Sequence, residues 1–597
     1  LDDEELIKQV FQLTQDVLVH KQLAFILLQQ TPLFKYPGED EDVQQAISNV
    51  KLHDYYAYLV KELNLLDPKV PEDIYKLHLE NVKFGIGNSG LIDSAKQNLA
   101  AAFVNGFINL GYGTDKLIQT EEDNKLWIYK TKGAGMTSTT ASLGMIHQWD
   151  INEGLQHLDK YTYLLEDDVK AGAILGTGIV SANVHDDVEA ALALLQDYVT
   201  DSNKKHQAAA INGLGIAFSG SLNEEVLNLL LPLVLDLDTS IEILSLAALA
   251  LGHVFVGTCN GDITLTILQT LLERDFVQLT SKYIRFLLLG LGLLYMGKTE
   301  QVEDVLETID AIEHPISKTL KVLVNICAYA GTGNVLQIQA LLQMCTAKPK
   351  DEEEIDGKDE ETKNADVEMK DAVDDAATAT GTEESTKEEV KDEKKDEATT
   401  EEDDEEDEEE LYQGFAVLGL ACIAMGEDIG QDMSLRHFSH LMHYGNPLIR
   451  RAVPLAMGLV STSNPQMKVF DTLSRYSHDP DLEVAQNAIY AMGLVGAGTN
   501  NARLAQLLRH LASYYIKSSD SLLMVRVAQG ILHLGKGTLS LNPFNSERTI
   551  LLKVSLASLL TISVALLDPK LFILSDDNNE TTHQLLYYLT PAIKPRM

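Results

Sequence analysis

The sequence predicts an all-α protein, a strongly curved α-solenoid of helical-hairpin repeats with a small C-terminal β-containing segment. Three observations carry that expectation. One phrase of small and apolar residues recurs, amphipathic text follows each copy, and the single irregular spacing holds a 60-residue acidic run. The phrase opens on a small residue and usually reaches Gly seven positions later. Clear copies are Gly106–Gly113, Gly213–Gly220, Ala250–Gly257, Gly290–Gly297, Gly419–Gly426, Ala491–Gly498 and Gly530–Gly537. Weaker copies start at Ser142, Gly176, Val324 and Ala456. Start-to-start spacings run from 34 to 40 residues except one of 95, which becomes 35 once the acidic run is removed. Self-similarity at such a period is the mark of a solenoid.

Residues 1–90 read as an N-terminal helical segment without the phrase. Leu6 to Leu28 is apolar at helical spacing, and Pro37–Asp42 reads as a loop. Residues 91–347 form the first part of the repeats. In each unit the phrase ends a first helix, where a left-handed cap suits glycine. An amphipathic second helix follows, as at Asp187–Gln196 and Asp262–Glu273, with an acid at its start to suit the helix dipole. Glycine inside a helix costs about 1 kcal/mol relative to Ala. Its recurrence there needs a cause, and close approach of a neighbouring helix to bare backbone is the one expected.

Residues 348–410 are expected to be a disordered acidic insert. Positions 351–410 hold 31 Asp/Glu against 7 Lys and too few apolar groups to bury a core. The insert reads as a solvated tether, with contact to basic partners as the other reading. Residues 411–540 resume the repeats. In residues 541–597 a long apolar stretch, Ile550–Leu567, precedes Lys570–Leu574 and His583–Leu589, whose turn-like spacer Ser575–Glu580 suggests a β-hairpin.

The chain carries 47 Lys+Arg against 89 Asp+Glu, a net charge of −42. That excludes electrostatic binding to nucleic acid or an anionic membrane, which needs a cationic excess. Four cysteines (Cys259, Cys327, Cys345, Cys422) form no CxxC, so neither a disulfide scaffold nor a zinc site is expected, and a reducing compartment fits. The sequence opens on Leu1 with no signal-peptide text and reads as a piece of a longer protein. Ile243–Gly261 is uncharged over 19 residues, the length of a membrane span. It contains His253, Thr258 and Asn260 and coincides with a repeat copy, which explains it better.

No catalytic constellation emerges. Gly133-Ala-Gly135 lacks the lysine and spacing of a phosphate loop and reads as a flexible loop. His437, His440 and His443 fall at i, i+3 and i+6, spread over about 9 Å of helix axis, and read as surface or capping histidines. The cysteines read as inert buried thiols. The expectation is a protein that is not an enzyme, with no cofactor and no metal.

The Gly/Ala-rich repeat resembles the proteasome/cyclosome repeat. Its combination with an acidic insert after the seventh unit is similar to the large non-ATPase scaffold subunits of the proteasome regulatory particle. The stretches Val256–Asp262, Leu293–Lys298 and Asn487–Asn501 resemble the ubiquitin-receptor member of that pair. The resemblance implies a toroid attached to the ATPase subunits, in cytoplasm and nucleus. It also implies partners: ubiquitin, the ubiquitin-like domains of shuttle factors, and a deubiquitinase.

Two surfaces are candidates. On the helix beginning near Asp262, a projection at about 100° per residue puts Gln269 at about −20°, Glu273 at about +20° and Thr266 at about +40° of Asp262. Carboxylates then stand at both ends of one ridge, about 16 Å apart. The resemblance implies that this ridge receives ubiquitin or a ubiquitin-like domain. Gln269 stands where the family often has an acid. Asp238 and Glu242, after the neighbouring outer helix, and Asp187, at the start of the one before, are assigned to the same surface. The second candidate is Asp150–Gln156, which by resemblance corresponds to the deubiquitinase-docking helix, with Ile151 as its apolar contact and Asp150, Glu153 and Gln156 as polar neighbours. The bland alternative for both is a solvated acidic face. Against the scaffold-receptor reading stand a generic α-solenoid adaptor outside the proteasome and an enzyme using the three histidines.

Overall fold

Two classes of helix alternate along the chain, and their amino-acid content separates them. The computed structural model describes residues 4–28, 36, 38, 40–76, 94–119, 127–186, 188–312, 314–346, 411–545, 548–574 and 583–596. The acidic insert expected at 348–410 lies outside them. Each phrase copy ends or follows an inner helix that is buried around most of its circumference. In order these are Ser94–Ile108, Ala134–Ile146, Asp167–Val180, Lys204–Ala217, Ile241–Val254, Ile284–Leu294, Ile316–Ala328, Leu411–Ala424, Pro447–Val460, Leu482–Val495 and Ser519–Leu532. Each packs against the next, and the last packs against the first. The solenoid is therefore a closed ring.

The recurrent glycines sit where inner helices touch. A Cβ on Gly178 would lie 2.3 Å from the carbonyl oxygen of Gly213, and one on Gly252 would lie 2.6 Å from that of Gly290. No side chain fits between those backbones, so the helical penalty of glycine is offset by close packing. The glycines ending the phrase do a second job. Gly220 and Gly257 adopt φ of +74° and +69°, and their N–H groups donate to His253 O and Leu293 O on the next inner helix, each at 2.9 Å. They thus satisfy carbonyls that a helix C-terminus leaves orphaned. Gly297, Gly331 and Gly498 repeat the contact with Cys327 O, Cys422 O and Ile531 O, giving a hydrogen-bonded hoop from repeat to repeat.

Outer helices bury only one stripe. Val302–Ile309 shows the pattern, with Val302, Val305 and Ile309 inside and Glu303, Asp304 and Glu307 in solvent. Several begin on an asparagine rather than on the expected acid. Asn223, Asn260 and Asn501 each accept two N–H groups of the first turn. The N-terminal segment folds as Glu4–Leu13, Val17–Leu28, Glu41–Ser48, Leu52–Glu62 and Pro71–Tyr75. The expected run from Leu6 to Leu28 is broken, because the Asp16 side chain accepts from Leu18 N and starts a new helix.

The seam between last and first repeats is tied by side chains from three regions. Lys96 Nζ meets Asp520 Oδ1 at 2.5 Å. Lys536 Nζ donates to Leu65 O and Asp67 O, both at 2.6 Å, and lies 3.8 Å from the centre of the Tyr112 ring. Tyr56 and Thr538 hydroxyls join at 2.7 Å.

The C-terminal segment fills the hole. Lys553–Ala565 and Gln584–Ala592 pack together and are buried on all sides by inner helices. Polar inner-wall residues that a ring alone would leave unpaired find partners there. His253 Nε2 meets Thr561 Oγ1 at 2.8 Å, Asn212 Nδ2 donates to Gln584 Oε1 at 3.0 Å, and Tyr587 Oη donates to Ser138 O at 2.5 Å. The β-hairpin expected at 570–589 is not formed: Lys570–Leu574 is a single wide helical turn and Gln584–Ala592 is 3-10 helix. A short apolar run buried on every side carries no period to tell strand from helix. The β content described is a two-residue antiparallel ladder, Leu539–Ser540 with Lys594–Pro595, and an isolated bridge between Phe544 and Leu551.

Among the described residues no helix is long and apolar enough to cross a membrane, and Ile243–Gly261 resolves into inner helix Ile241–Val254 plus its turn.

Candidate binding surface

The helix Gly261–Glu273 lies on the outside of the ring between outer helix Glu224–Leu235 and inner helix Ile284–Leu294. Its orientation is set by Ile263, Ile267 and Leu271, which are buried, and by Thr270, whose hydroxyl donates to Val234 O of the neighbouring outer helix at 3.0 Å. Asp262, Gln269 and Glu273 are all exposed on one ridge, and Gln269 Nε2 donates to Glu273 Oε1 at 2.7 Å. Thr266, projected beside them, is 7% exposed, because the ring's packing arc reaches that side of the helix.

What projection missed is apolar. Leu265 and Leu272, 67% and 62% exposed, flank Gln269 on the same ridge. Their projected angles, about −60° and about −80°, lie next to the acids, so a ridge centred slightly to that side finds them from sequence. Phe276 and Val277, 60% and 80% exposed, extend the apolar strip past the helix end. The outcome is a strip of leucines edged by carboxylates, long enough to take a small domain.

Asp238 and Glu242 are not on that ridge. Asp238 is exposed in the link after Glu224–Leu235, and Glu242 is half-buried in the first turn of inner helix Ile241–Val254. The buried Arg274 guanidinium binds this link to the ridge helix, donating to Asp236 O at 2.7 Å and Thr239 O at 3.2 Å. Asp238 therefore borders the Glu273 end of the strip. Asp187 lies outside the described residues.

The second candidate helix, Ile151–Thr162, is capped by Asp150, whose Oδ1 accepts from Glu153 N at 3.1 Å. Glu153 and Gln156 are exposed, whereas Ile151 is half-buried and packed against the ring core. Ile151 thus supports the helix rather than presenting an apolar contact. The exposed apolar groups here are Tyr163 and Leu165, 79% and 99% exposed, past the helix end. His157, on the same face, stacks on buried His147 with ring centres 4.6 Å apart, and burial holds His147 down at about 4.

Among the described residues no group of His, Cys, Asp and Glu is placed to hold a metal. The His440 ring centre lies 4.7 Å from that of Tyr444, the two rings tilted by 38°. Cys327 and Cys422 are fully buried, which pushes both thiols far toward the protonated form. Gly133-Ala-Gly135 is no loop: it opens inner helix Ala134–Ile146.

Comparison with known families matches the RPN1 N-terminal domain at residues 1–80 and the proteasome/cyclosome repeat at 209–243 and 487–521. The chain is similar along its whole length to Rpn1 subunits of the 26S proteasome. It is 48% identical over its whole length to the 26S proteasome regulatory subunit rpn-1 of Neurospora crassa and 48% identical to rpn1 of Schizosaccharomyces pombe, covering 60% of each. It is 52% identical to the 26S proteasome regulatory subunit RPN1 of Candida glabrata, covering 63% of that protein. The chain thus spans about three-fifths of the length of these relatives. The two repeat matches fall on inner helices Lys204–Ala217 and Leu482–Val495 with the turns and outer helices that follow them.

Proposed function

We propose that this chain is a non-catalytic scaffold and receptor of the 26S proteasome regulatory particle, acting in cytoplasm and nucleus. It docks to the ATPase subunits and holds ubiquitin and the ubiquitin-like domains of shuttle factors on its outer helices. The observation that carries the receptor part is the ridge Asp262–Leu265–Gln269–Leu272–Glu273, an apolar strip with carboxylates at both ends. It complements a small domain whose apolar patch is rimmed by basic residues, the character of ubiquitin's recognition face. Exposed charge pairs contribute only about 0.2–1 kcal/mol each, so the leucines supply most of the affinity and the acids the orientation. Several weak sites around one ring would combine through multivalency. The helix Ile151–Thr162, through Glu153 and Gln156, is assigned to a proteasome-associated deubiquitinase.

The test is a titration of labelled ubiquitin and of a shuttle-factor ubiquitin-like domain against the chain and its Asp262→Ala/Glu273→Arg variant, with circular dichroism to confirm the fold. Loss of binding with the fold intact supports the ridge. Unchanged binding removes the site from this helix, and no binding by the parent chain leaves only a scaffold.

A further inference from the structure

The ring's outer surface is not uniformly acidic. The second halves of three consecutive outer helices and the first residues after them, positions 433–444, 472–478 and 505–517, contain no Asp or Glu, and the acids that follow, Asp479, Asp481 and Asp520, are paired with Arg450, Arg451 and Lys96. These segments carry Arg436, Arg475, Arg509 and Lys517 together with five histidines, in a chain of net charge −42. Arg436, Arg475 and Lys517 are exposed, and so are Tyr444 and Tyr514, at 79% and 63%. The three helices, Asp428–Tyr444, Met467–Tyr476 and Ala502–Tyr514, end on the same rim of the ring, and the rim is continuous. The Tyr476 hydroxyl lies beside the Ser439 side chain, Tyr515 Oη donates to Ser477 O at 2.6 Å, and His478 meets the Tyr514 ring at 4.9 Å. Cations at helix C-termini suit the dipole. That alone does not explain the rim, because other outer helices break the rule: Glu273 and Glu307 stand in last turns, and Asp236 follows Leu235.

The acidic sequence joins the described structure on this same rim. In a helical hairpin the start of the inner helix lies beside the end of its outer partner. Here Asn446 Nδ2 donates to Gln413 Oε1 at 3.2 Å, placing Leu411 next to the end of Asp428–Tyr444. Immediately before Leu411 stand ten consecutive acids, Glu401–Glu410. A segment tethered this closely is present at an effective concentration on the order of millimolar. An acidic partner from solution must instead approach a ring that repels it.

We propose that the acidic run Glu401–Glu410 docks in cis on the cationic, tyrosine-bearing rim formed by the ends of the Asp428–Tyr444, Met467–Tyr476 and Ala502–Tyr514 helices. The occupant is the chain's own run, held by ion pairs and by contacts to Tyr444 and Tyr514. Any acidic partner of this rim has to displace it.

The test uses the full chain and a fluorescein-labelled peptide of sequence Glu401–Glu410 as probe, read by anisotropy at low salt. A variant with every acid of 401–410 changed to its amide frees the rim and binds the probe about tenfold or more tighter than the parent. Adding Arg475→Glu, Arg509→Glu and Lys517→Glu to that variant abolishes binding, as does raising the salt of the amide variant to about 0.5 M. These are surface changes, and circular dichroism checks the fold. Equal affinity of parent and amide variant overturns the docking in cis. Probe binding that survives the triple reversal overturns the rim as the site.

Discussion

Acidification tests the hub most directly. His253 of inner helix Ile241–Val254 is fully buried, with Nε2 on Thr561 and its ring 4.7 Å from Tyr588, and burial holds its pKa down at about 3. His583, at the entry to the hub's second strand of chain, is 2% exposed and held at about 4 for the same reason. In the unfolded chain both return to about 6.5. Between that value and the folded ones the unfolded state binds more protons, so stability falls as pH falls. Going from pH 7 to 5 each histidine costs about 2 kcal/mol, the slope approaching about 1.4 kcal/mol per pH unit below 6.5, and the pair about 4 kcal/mol. Carboxylates titrate too, so the informative quantity is a difference between chains. The perturbation is His253→Gln, which keeps a polar group near Thr561 and removes the titration. Urea unfolding followed by circular dichroism at pH 7 and pH 5 should show the variant losing about 2 kcal/mol less than the parent. Equal losses would refute a buried neutral His253 and with it the placement of the C-terminal segment inside the ring.

Three further outcomes follow from the packing. Gly178→Val should lower stability by about 3 kcal/mol, since even a Cβ would lie 2.3 Å from Gly213 O, whereas Gly261→Ala, which meets nothing within 4 Å, should be neutral or slightly stabilising; thermal melts of the two variants check this. Lys536→Met should cost about 2–3 kcal/mol by leaving Leu65 O and Asp67 O without their charged donor, and should raise hydrogen exchange along the Ser94–Ile108 and Ser519–Leu532 seam. Leu265→Ala with Leu272→Ala should weaken binding of ubiquitin or a ubiquitin-like domain about tenfold or more while leaving the melting temperature within a degree or two, because both side chains are already in solvent.

The repeat architecture was legible because one cause acts again and again around the ring. Backbone-to-backbone contact such as Gly178 on Gly213 demands glycine, and that demand is written at a fixed period. Ring closure was not legible from residues, because small residues permit curvature without setting its degree, and the contact that closes the ring lies between residues more than 400 positions apart, as in Lys96 with Asp520. The hub was hidden for a different reason. Lys553–Ala565 is buried on every side, so its sequence has no polar face to show a period, and Lys570–Leu574 is too short to separate strand from helix. On the candidate ridge, projection located Asp262, Gln269 and Glu273 correctly relative to one another but misjudged where the packing arc ends. That arc is fixed by a neighbour, through Thr270 on Val234 O. Ile151 failed similarly: sequence can show an apolar residue at a helix start but not which way the ring turns it.

The two helix classes divide the work in a way that explains how one ring can carry different surfaces. Inner helices are held on four sides: by each neighbour through bare glycine backbone, by an outer helix, and by the hub, where His253 and Asn212 find Thr561 and Gln584. A substitution there meets backbone and has nowhere to go. An outer helix needs only one apolar stripe and a cap, as Gly261–Glu273 shows with Ile263, Ile267, Leu271 and Asn260. Everything on its far face is free of the fold's demands. Successive outer helices can therefore present leucines edged by acids at Gly261–Glu273 and arginines with tyrosines at Ala502–Tyr514 without altering the ring. A rigid frame with independently variable outer faces is what a receptor for several small domains requires, since each site can be tuned while its spacing from the others stays fixed.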